Sequence, residues 1–256
     1  MALSDRQVVE LFHLLLLRQL ASGNDRARFV LKGGCNLRFF FGSIRYSEDM
    51  DLDTSNVGVD TLKNKMNRLL ASPALRLPLE RWGISLTDIS SPKQTDTTQR
   101  WKMGLLASGH SVPLRTKVEF SRRNAHSLVG AALVEPMNAA LAREYQVPPP
   151  LIMHYGVAAA LEQKVAALVG RAQTQARDVF DIQLLLSRAG DARTSATIPT
   201  TVREAAIARV RSRSYDEYTG QVLAYLVPEQ AAPFRGNEVW VAMQDEVARF
   251  LEGARS

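Results

Sequence analysis

The chain has 256 residues, 46% of them hydrophobic, with 32 basic and 26 acidic side chains and a formal net charge of +6. This composition is typical of a folded protein of one or two domains and excludes a disordered chain. A single cysteine excludes an internal disulfide framework and a zinc-finger type of site. No apolar run reaches the roughly 18–20 residues that span a bilayer, and no signal-peptide layout is present, so we expect a cytoplasmic protein without a membrane partner.

The elements predicted for the first part of the chain are a helix over residues 3–21, a strand–turn–helix over 28–41 and an acidic strand over 49–54. A further helix over 61–71, closed by Ser72-Pro73, precedes strands over 82–89, 99–106 and 112–120. Together these elements predict a mixed sheet with helices.

The second part begins at Val147-Pro-Pro-Pro150, which is too stiff to lie inside a helix. Beyond it the periodicity predicts helices near 155–169, 176–189, 199–210, 214–226 and 237–252. We therefore expect an α+β (mixed α/β) fold, with a sheet-and-helix domain over residues 1–146 and a helical domain over residues 147–256.

The acidic strand places two carboxylates on one face. In Asp49-Met-Asp51-Leu-Asp53 the apolar residues alternate with acids, so Asp49 and Asp51 point the same way, about 7 Å apart. Carboxylates in this arrangement share divalent cations. Asp53 is interpreted as a strand-end residue and not as a metal ligand. The preceding Gly33-Gly34 pair allows the backbone to approach a ligand closely, which together with the carboxylates indicates nucleotide chemistry.

A third carboxylate is expected at Glu119 if its strand lies beside the acidic strand. The alternative is a surface glutamate paired with Lys117 or Arg115. In the helical half, Lys164 and Arg171 lie on one side of a helix, where a lysine could neutralise phosphate charge or extend to the surface.

Arg177-Asp178 and Asp181 begin the next helix, where acids also favour the helix dipole.

In combination these motifs resemble the AbiEii/AbiGii family of bacterial nucleotidyltransferase-like toxins, over about residues 8–190. Four motifs occur in the family's order: Lys32-Gly33-Gly34, Arg45-x-Ser47-x-Asp49-x-Asp51, Lys164 with Ala167, and Arg177-Asp178 with Asp181.

The resemblance implies a nucleotidyltransferase core of the DNA polymerase β type joined to a helical domain that completes the active-site cleft. Family members are toxins of toxin–antitoxin pairs, some of them in abortive phage defence. Some transfer nucleotides from an NTP onto the 3′ end of tRNA and so block translation. For this chain it therefore implies an NTP substrate, Mg²⁺ or Mn²⁺, a tRNA or other RNA acceptor and a cognate antitoxin.

The resemblance also implies roles for individual residues. The catalytic residues would be Asp49, Asp51, Lys164 and Asp178. Glu119 would join the two strand aspartates as a metal ligand. The NTP-binding residues would be Lys32, Gly33, Gly34, Arg45, Ser47, Arg171 and Arg177.

Two other classes of function remain open at this point. One is a catalytically silent module that binds an NTP or a nucleic acid, and the other is a nucleotidyltransferase that modifies a small molecule or a protein hydroxyl. The intact Ser47-x-Asp49-x-Asp51 motif favours an active enzyme.

Overall fold

The computed structural model describes residues 3–22, 27–123, 132–190 and 196–254. The chain divides into two compact units. Unit 1 comprises Met1–Phe40 and Ser47–Tyr155, and unit 2 comprises Phe41–Tyr46 and Gly156–Ser256. The short segment Phe41–Tyr46, which precedes the acidic strand, is therefore part of the second unit.

Unit 1 is built on a mixed sheet, as the sequence predicts. Its described strands have the order β3-β4-β5-β2-β1-β7-β6, and β2/β5 and β1/β7 are parallel while the other pairs are antiparallel. The strands are β1 Phe29–Lys32, β2 Asp49–Thr54, β3 Ile84–Gln94, β4 Thr98–Ala107, β5 Leu114–Arg122, β6 Ala132–Pro136 and β7 Leu151–Tyr155.

One face of this sheet is apolar and is covered by helices. Met50 and Leu52 of β2, with Val118 and Phe120 of β5, are fully buried in a core shared with the first helix. Burial of these side chains removes apolar surface from water, which is the main favourable term in folding. The helices of unit 1 are α1 Asp5–Leu20, α2 Gly33–Phe40, α3 Val59–Ala71, α4 Pro73–Arg81 and α5 Ala139–Glu144.

A buried ion pair joins three of these helices. The Glu10 carboxylate in α1 accepts hydrogen bonds from Arg38 Nε at 2.6 Å and Arg38 Nη2 at 3.1 Å. The Tyr145 hydroxyl, directly after α5, donates to the same carboxylate at 2.6 Å. Glu10 is 2% exposed, so its buried charge depends on neutralisation by Arg38 and on the hydrogen bonds that it accepts.

Two features of unit 1 differ from the prediction. Helix α3 ends at Ala71, as Ser72-Pro73 predicts, but the prediction lacks the helix α4 that follows. Pro73 lies in the first turn of α4, where its missing N–H costs nothing. Residues 151–155, which the sequence analysis assigns to the helical half, form β7. This strand pairs in parallel with β1 and buries Ile152 and Tyr155, and its five residues are too few to show a period.

Unit 2 is helical, as predicted. Inside it Trp240 stacks on Tyr218 with ring centroids 4.5 Å apart, and the Trp240 indole N–H donates to the Arg213 carbonyl at 3.1 Å. No described helix is both long and apolar enough to cross a membrane. The α-helices are α6 Val157–Gly170, α7 Ala176–Arg188, α8 Thr200–Arg211, α9 Tyr215–Gln221 and α10 Asn237–Gly253.

The segment Phe41–Tyr46 is attached to unit 2 through backbone hydrogen bonds. Tyr46 N–H donates to the Tyr225 carbonyl at 2.9 Å, and Val227 N–H donates to the Ile44 carbonyl at 2.8 Å. Arg45 lies between these bonds, so its side chain belongs to the interior of the helical unit.

The Glu10 ion pair gives a stability prediction. Glu10→Gln removes the buried negative charge that Arg38 and Tyr145 contact, so the free energy of unfolding should fall by about 3–5 kcal/mol. Urea denaturation measures this change. The control is Glu144→Gln, at an exposed position of α5, which should change stability by less than about 0.5 kcal/mol. Equal effects of the two substitutions would contradict the role assigned to the buried pair.

Candidate functional site

The acidic pair lies on the face of the sheet opposite the core. Along β2, Asp49 and Asp51 are partly exposed, whereas Met50 and Leu52 are fully buried. The strand lies between β1 and β5, so charged residues of both neighbours extend this face. Alternation along a strand thus presents two carboxylates side by side to one surface.

Asp51 is the unpaired member of the pair. Within the described residues its carboxylate takes part in no hydrogen bond or ion pair. Burial raises the pKa of Asp51 above its usual range; Lys117 and Lys32 oppose this rise, and the carboxylates of Asp49 and Glu119 add to it. A ligand cation would satisfy this carboxylate and would hold it in the charged form.

Gly33 brings the start of α2 against Asp51. Its φ is +67°, a left-handed conformation, and a Cβ at this position would lie 3.2 Å from Asp51 Oδ2. Both facts require glycine here. Gly34 follows as the second residue of α2, so the backbone of the double glycine lies beside the acidic pair.

Asp49 is held through both its side chain and its backbone. Lys117 Nζ donates to Asp49 Oδ2 at 2.7 Å. The Asp49 carbonyl accepts from Ser47 Oγ at 2.9 Å and from Cys35 Sγ at 3.3 Å. In this structure Ser47, predicted to contact a triphosphate, fixes the backbone of Asp49.

A chain of buried polar groups supports the start of β2 from the core side. Thr116 Oγ1 donates to the Glu48 carbonyl at 2.7 Å, and His13 Nε2 lies 2.8 Å from Thr116 Oγ1. His13 Nδ1 lies 3.6 Å from Cys35 Sγ. Burial lowers the pKa of His13 to about 4, an effect that Asp49 partly opposes, so the imidazole is neutral at pH 7 and donates from Nε2 to Thr116.

Sequence reasoning gave His13 no role. Only its tertiary contacts, more than a hundred residues apart in the case of Thr116, reveal one.

Glu119 is the neighbour of Asp51 on β5, as the conditional prediction required, because the parallel register pairs the two residues. Its carboxylate accepts a hydrogen bond from Arg100 Nε at 2.6 Å. This partner is neither of the two considered from the sequence: Lys117 binds Asp49, and Arg115 binds Asp88 at 2.8 Å. Among the described residues, no three acids, histidines or cysteines form a ready-made metal cluster.

Lys32 and Asp53 form a separate pair on the same face. Lys32 Nζ lies 2.5 Å from Asp53 Oδ1, and the Tyr155 hydroxyl donates to Asp53 Oδ2 at 2.7 Å. Asp53 is 3% exposed. Its carboxylate is therefore occupied by protein donors, and Lys32, predicted to bind the NTP, is one of them.

The predicted site residues of the second half lie in a buried ion cluster inside unit 2. Arg45 Nη2 lies 2.9 Å from Asp181 Oδ2, and Lys164 Nζ lies 2.5 Å from the same oxygen. Asp181 is completely buried, which by itself would raise the pKa of its carboxyl. The Arg45 and Lys164 charges outweigh burial and hold that pKa below its usual range.

Asp178 is the least satisfied member of this cluster. It is also completely buried, with Arg171 Nε 3.1 Å from Oδ2 and Lys164 Nζ 3.6 Å from Oδ1. Neither carboxylate oxygen has a hydrogen bond within the described residues. The helix dipole alone does not account for two fully buried acids at the start of α7. Arg177, next to Asp178, is partly exposed and makes no ion pair in the described part of the chain.

The predicted site residues thus fall into two groups, one in each unit. The group in unit 1 surrounds the acidic pair and consists of Lys32, Gly33, Gly34, Ser47, Asp49, Asp51 and Glu119. The group in unit 2 consists of Arg45, Lys164, Arg171, Arg177 and Asp178. Hard carboxylate oxygens beside a backbone that a phosphate can approach suit phosphoryl transfer with a divalent cation.

Comparison with known proteins bears on the family and the fold of the chain. The family model described as "Nucleotidyl transferase AbiEii toxin, Type IV TA system" matches residues 15–254. The solved structures that share the fold include MenT4, a nucleotidyltransferase toxin from Mycobacterium tuberculosis H37Rv, with a TM-score of 0.64 and 18% identity over 97% of this chain and 84% of that chain. They also include JHP933 from Helicobacter pylori, with a TM-score of 0.60 and 18% identity over 98% of this chain and 95% of that chain. No curated protein sequence matches the chain.

The close approach of Gly33 to Asp51 can be tested by substitution. Gly33→Ala should lower the free energy of unfolding by about 1–2 kcal/mol, the cost of a left-handed residue with a Cβ, and should displace the Asp51 carboxylate. Gly109→Ala is the matched control, because Gly109 has φ +85° and nothing within 4 Å of its Cβ position. Both variants should lose similar stability in urea denaturation, but only Gly33→Ala should lose nucleotidyl transfer. Full activity of Gly33→Ala would refute the contact.

The ion cluster of unit 2 gives a prediction with a pH dependence. Asp181→Asn strands two buried cations and should reduce the free energy of unfolding by about 3–5 kcal/mol at pH 7. Because the folded pKa of Asp181 is depressed, its contribution is present above its unfolded pKa and disappears as the pH falls through the folded value. The difference from wild type should therefore shrink below about pH 4.

Asp216→Asn, at an exposed position of α9, serves as the control and should stay near wild type throughout. Denaturation at several pH values measures both differences. A difference for Asp181→Asn that stays constant down to pH 2 would contradict the charge-based explanation.

Proposed function

The chain belongs to the family of AbiEii nucleotidyltransferase toxins of type IV toxin–antitoxin systems, and on that premise we propose that it transfers a nucleoside monophosphate from an NTP onto RNA. The proposed acceptor is the 3′ end of tRNA, the proposed metal is Mg²⁺ or Mn²⁺, and the consequence would be a block of translation. The enzyme would act in the cytoplasm, where NTPs and tRNA are found, and a cognate antitoxin would restrain it.

The observation that carries this proposal is the acidic pair with one carboxylate unpaired. Mg²⁺ is usually bound through one or two carboxylates together with substrate phosphates and water, not by a cage of protein ligands alone. Asp49 and Asp51 on one exposed face fit that donor set, and the lack of a third ready-made ligand among the described residues is compatible with it. Glu119, adjacent in register to Asp51, would complete the set if it left Arg100.

When bound, the metal would neutralise phosphate charge and favour ionisation of the attacking hydroxyl. The residues of the chain would bind the metal and position the acceptor. Asp49 and Asp51 would hold the metal, and Asp51 would also position the acceptor hydroxyl. Lys117, which pairs with Asp49 at 2.7 Å, would keep that carboxylate oriented.

The double glycine is the proposed phosphate-binding element. Gly33 and Gly34 begin α2, whose first N–H groups have no partner inside the helix. A helix N-terminus carries partial positive charge and binds phosphate oxygens, and the missing side chains let those oxygens approach. Lys32 and Ser47 flank this position and are proposed to contact the triphosphate. To do so, Lys32 would leave Asp53, and Ser47 would leave the Asp49 carbonyl.

Lys164 and Asp178 remain the proposed catalytic residues of unit 2, with Arg171 and Arg177 as NTP contacts. The support is the family resemblance together with the unsatisfied Asp178 carboxylate, an unusual and costly feature in a protein interior. Arg45 is 5% exposed and bound to Asp181, so we propose that it acts by fixing the Asp181 carboxylate that holds Lys164.

The acidic pair gives the test of this function. Asp49→Asn should reduce incorporation of labelled nucleotide into tRNA by more than about 100-fold, because a neutral amide binds the metal poorly. The control is Asp60→Asn, at an exposed site on α3, which should transfer at the wild-type rate. The measurement incubates purified protein with each labelled NTP, Mg²⁺ and total RNA, followed by separation of RNA and protein.

Each outcome of this assay has one reading. Label in tRNA that disappears in Asp49→Asn supports the proposal. Label on protein would mean that the acceptor is a protein and not RNA. Label on neither macromolecule would favour a small-molecule acceptor or a function in binding alone. Equal labelling by Asp49→Asn and wild type would remove Asp49 from the site.

A further inference from the structure

Positive charge is concentrated on three strands next to the acidic pair. We define the basic strand face by its members on β3, β4 and β5, which are Lys93, Arg100, Lys102, Arg115 and Lys117. The register places them on the same side of the sheet as the catalytic acids. Asp49 is paired with Lys117 and Asp51 with Glu119, and across the next strand pair Lys117 meets Lys102 and Glu119 meets Arg100.

The basic strand face contains like charges directly opposite each other. Lys102 on β4 lies opposite Lys117 on β5, and Lys93 on β3 lies opposite Arg100 on β4. Cross-strand pairs of like charge destabilise a sheet, whereas the other side of these strands shows well-packed apolar pairs such as Trp101 with Val118. An arrangement that costs stability in the free protein is relieved when an anion binds between the charges.

Two cations of this face have no acid to neutralise them. Lys117 pairs with Asp49, Arg100 with Glu119 and Arg115 with Asp88. Lys93 and Lys102 are exposed and form no ion pair or hydrogen bond in the part of the chain that the structure describes. Both lysines are available to an external anion.

The position of these lysines identifies the anion. Lys102 is two strands from Asp49, about 10 Å at the usual strand spacing, on the side of β2 away from Gly33. The double glycine follows β1, on the other side of the acidic pair from β5. NTP phosphates bound at the glycines, as proposed, would therefore lie on the opposite side of the carboxylates from the cations of β3 and β4. An acceptor strand whose terminal hydroxyl reacts at Asp49 and Asp51 must continue away from the NTP, over β5, β4 and β3.

We propose that the basic strand face binds the phosphodiester backbone of the RNA acceptor just before its 3′ end, with Lys102 and Lys93 contributing the phosphate contacts. The inference rests on the proposed RNA transfer and names the surface that such an acceptor uses. An acidic protein is the less favoured occupant, because the row of cations leads to the acids at which a 3′-hydroxyl reacts. Contacts of this kind bind any sequence and weaken with salt.

The test is the double substitution Lys93→Gln with Lys102→Gln in the full chain, compared with Lys63→Gln on α3, an exposed lysine on the helical side of the sheet. The KM for tRNA, the KM for NTP and the salt dependence of kcat/KM for tRNA are measured. Two lost phosphate contacts predict a KM for tRNA raised roughly 25-fold at 0.1 M salt and a salt slope shallower by about 1.4. The KM for NTP should stay unchanged, and thermal unfolding should occur at or above the wild-type Tm because like charges have been removed.

The outcomes separate this inference from the proposed function. If wild type labels tRNA and the double variant behaves like Lys63→Gln, the surface is refuted and the function stands. A rise in the KM for NTP with no change for tRNA, or loss of antitoxin inhibition alone, also refutes it. If wild type labels no RNA, the proposed function fails. Fluorescence anisotropy with a labelled single-stranded RNA then tests whether the basic strand face binds RNA. Binding weakened only in the double variant supports the inference, and equal binding by all three proteins refutes it.

Discussion

The candidate site depends on the alternation of side chains along β2. Met50 and Leu52 must point into the core to cover apolar surface, and this requirement forces Asp49 and Asp51 onto the opposite face. A shift of one residue in register would bury both acids and expose both apolar side chains, so the hydrophobic core itself fixes the carboxylates. The core thus determines which face carries the carboxylates. Their exact positions are then fixed by Gly33, by Ser47 and by the buried polar groups around His13.

The acidic side chains of the two units differ in their burial and in their ion pairs. In unit 1 the carboxylates of Asp49 and Asp51 are partly exposed and can be reached from solvent. Asp51 already lacks a partner among the described residues. In unit 2 the acids Asp178 and Asp181 are fully buried beside Arg45, Lys164 and Arg171, where removal of one charge leaves a buried partner less well neutralised. The first group is suited to binding and release, and the second to holding a fixed arrangement of charge.

Much of the fold and the acidic pair could be predicted from the sequence because they follow from local patterns. The period of two in β2, the double glycine and the helical periodicity after residue 155 gave the mixed sheet, the helical domain and the family. A local pattern does not show which residues contact each other in the folded chain. The pairing of Glu119 with Arg100, the bond from Ser47 to the Asp49 carbonyl and the burial of Arg45 against Asp181 each join residues through the fold. The strand β7 could not be predicted for a related reason, since five residues show no period and it is pairing with β1 and β6 that makes them a strand.

The central claim is that Asp49 and Asp51 together form a metal-dependent nucleotide site. Electron paramagnetic resonance of Mn²⁺ measures this without any acceptor, by titrating the ion into protein with and without a non-hydrolysable NTP. Wild type should bind Mn²⁺ much more tightly in the presence of the nucleotide, and Asp51→Asn should lose that gain while keeping its fold. Equal Mn²⁺ binding by Asp51→Asn and wild type in the presence of nucleotide would contradict the account.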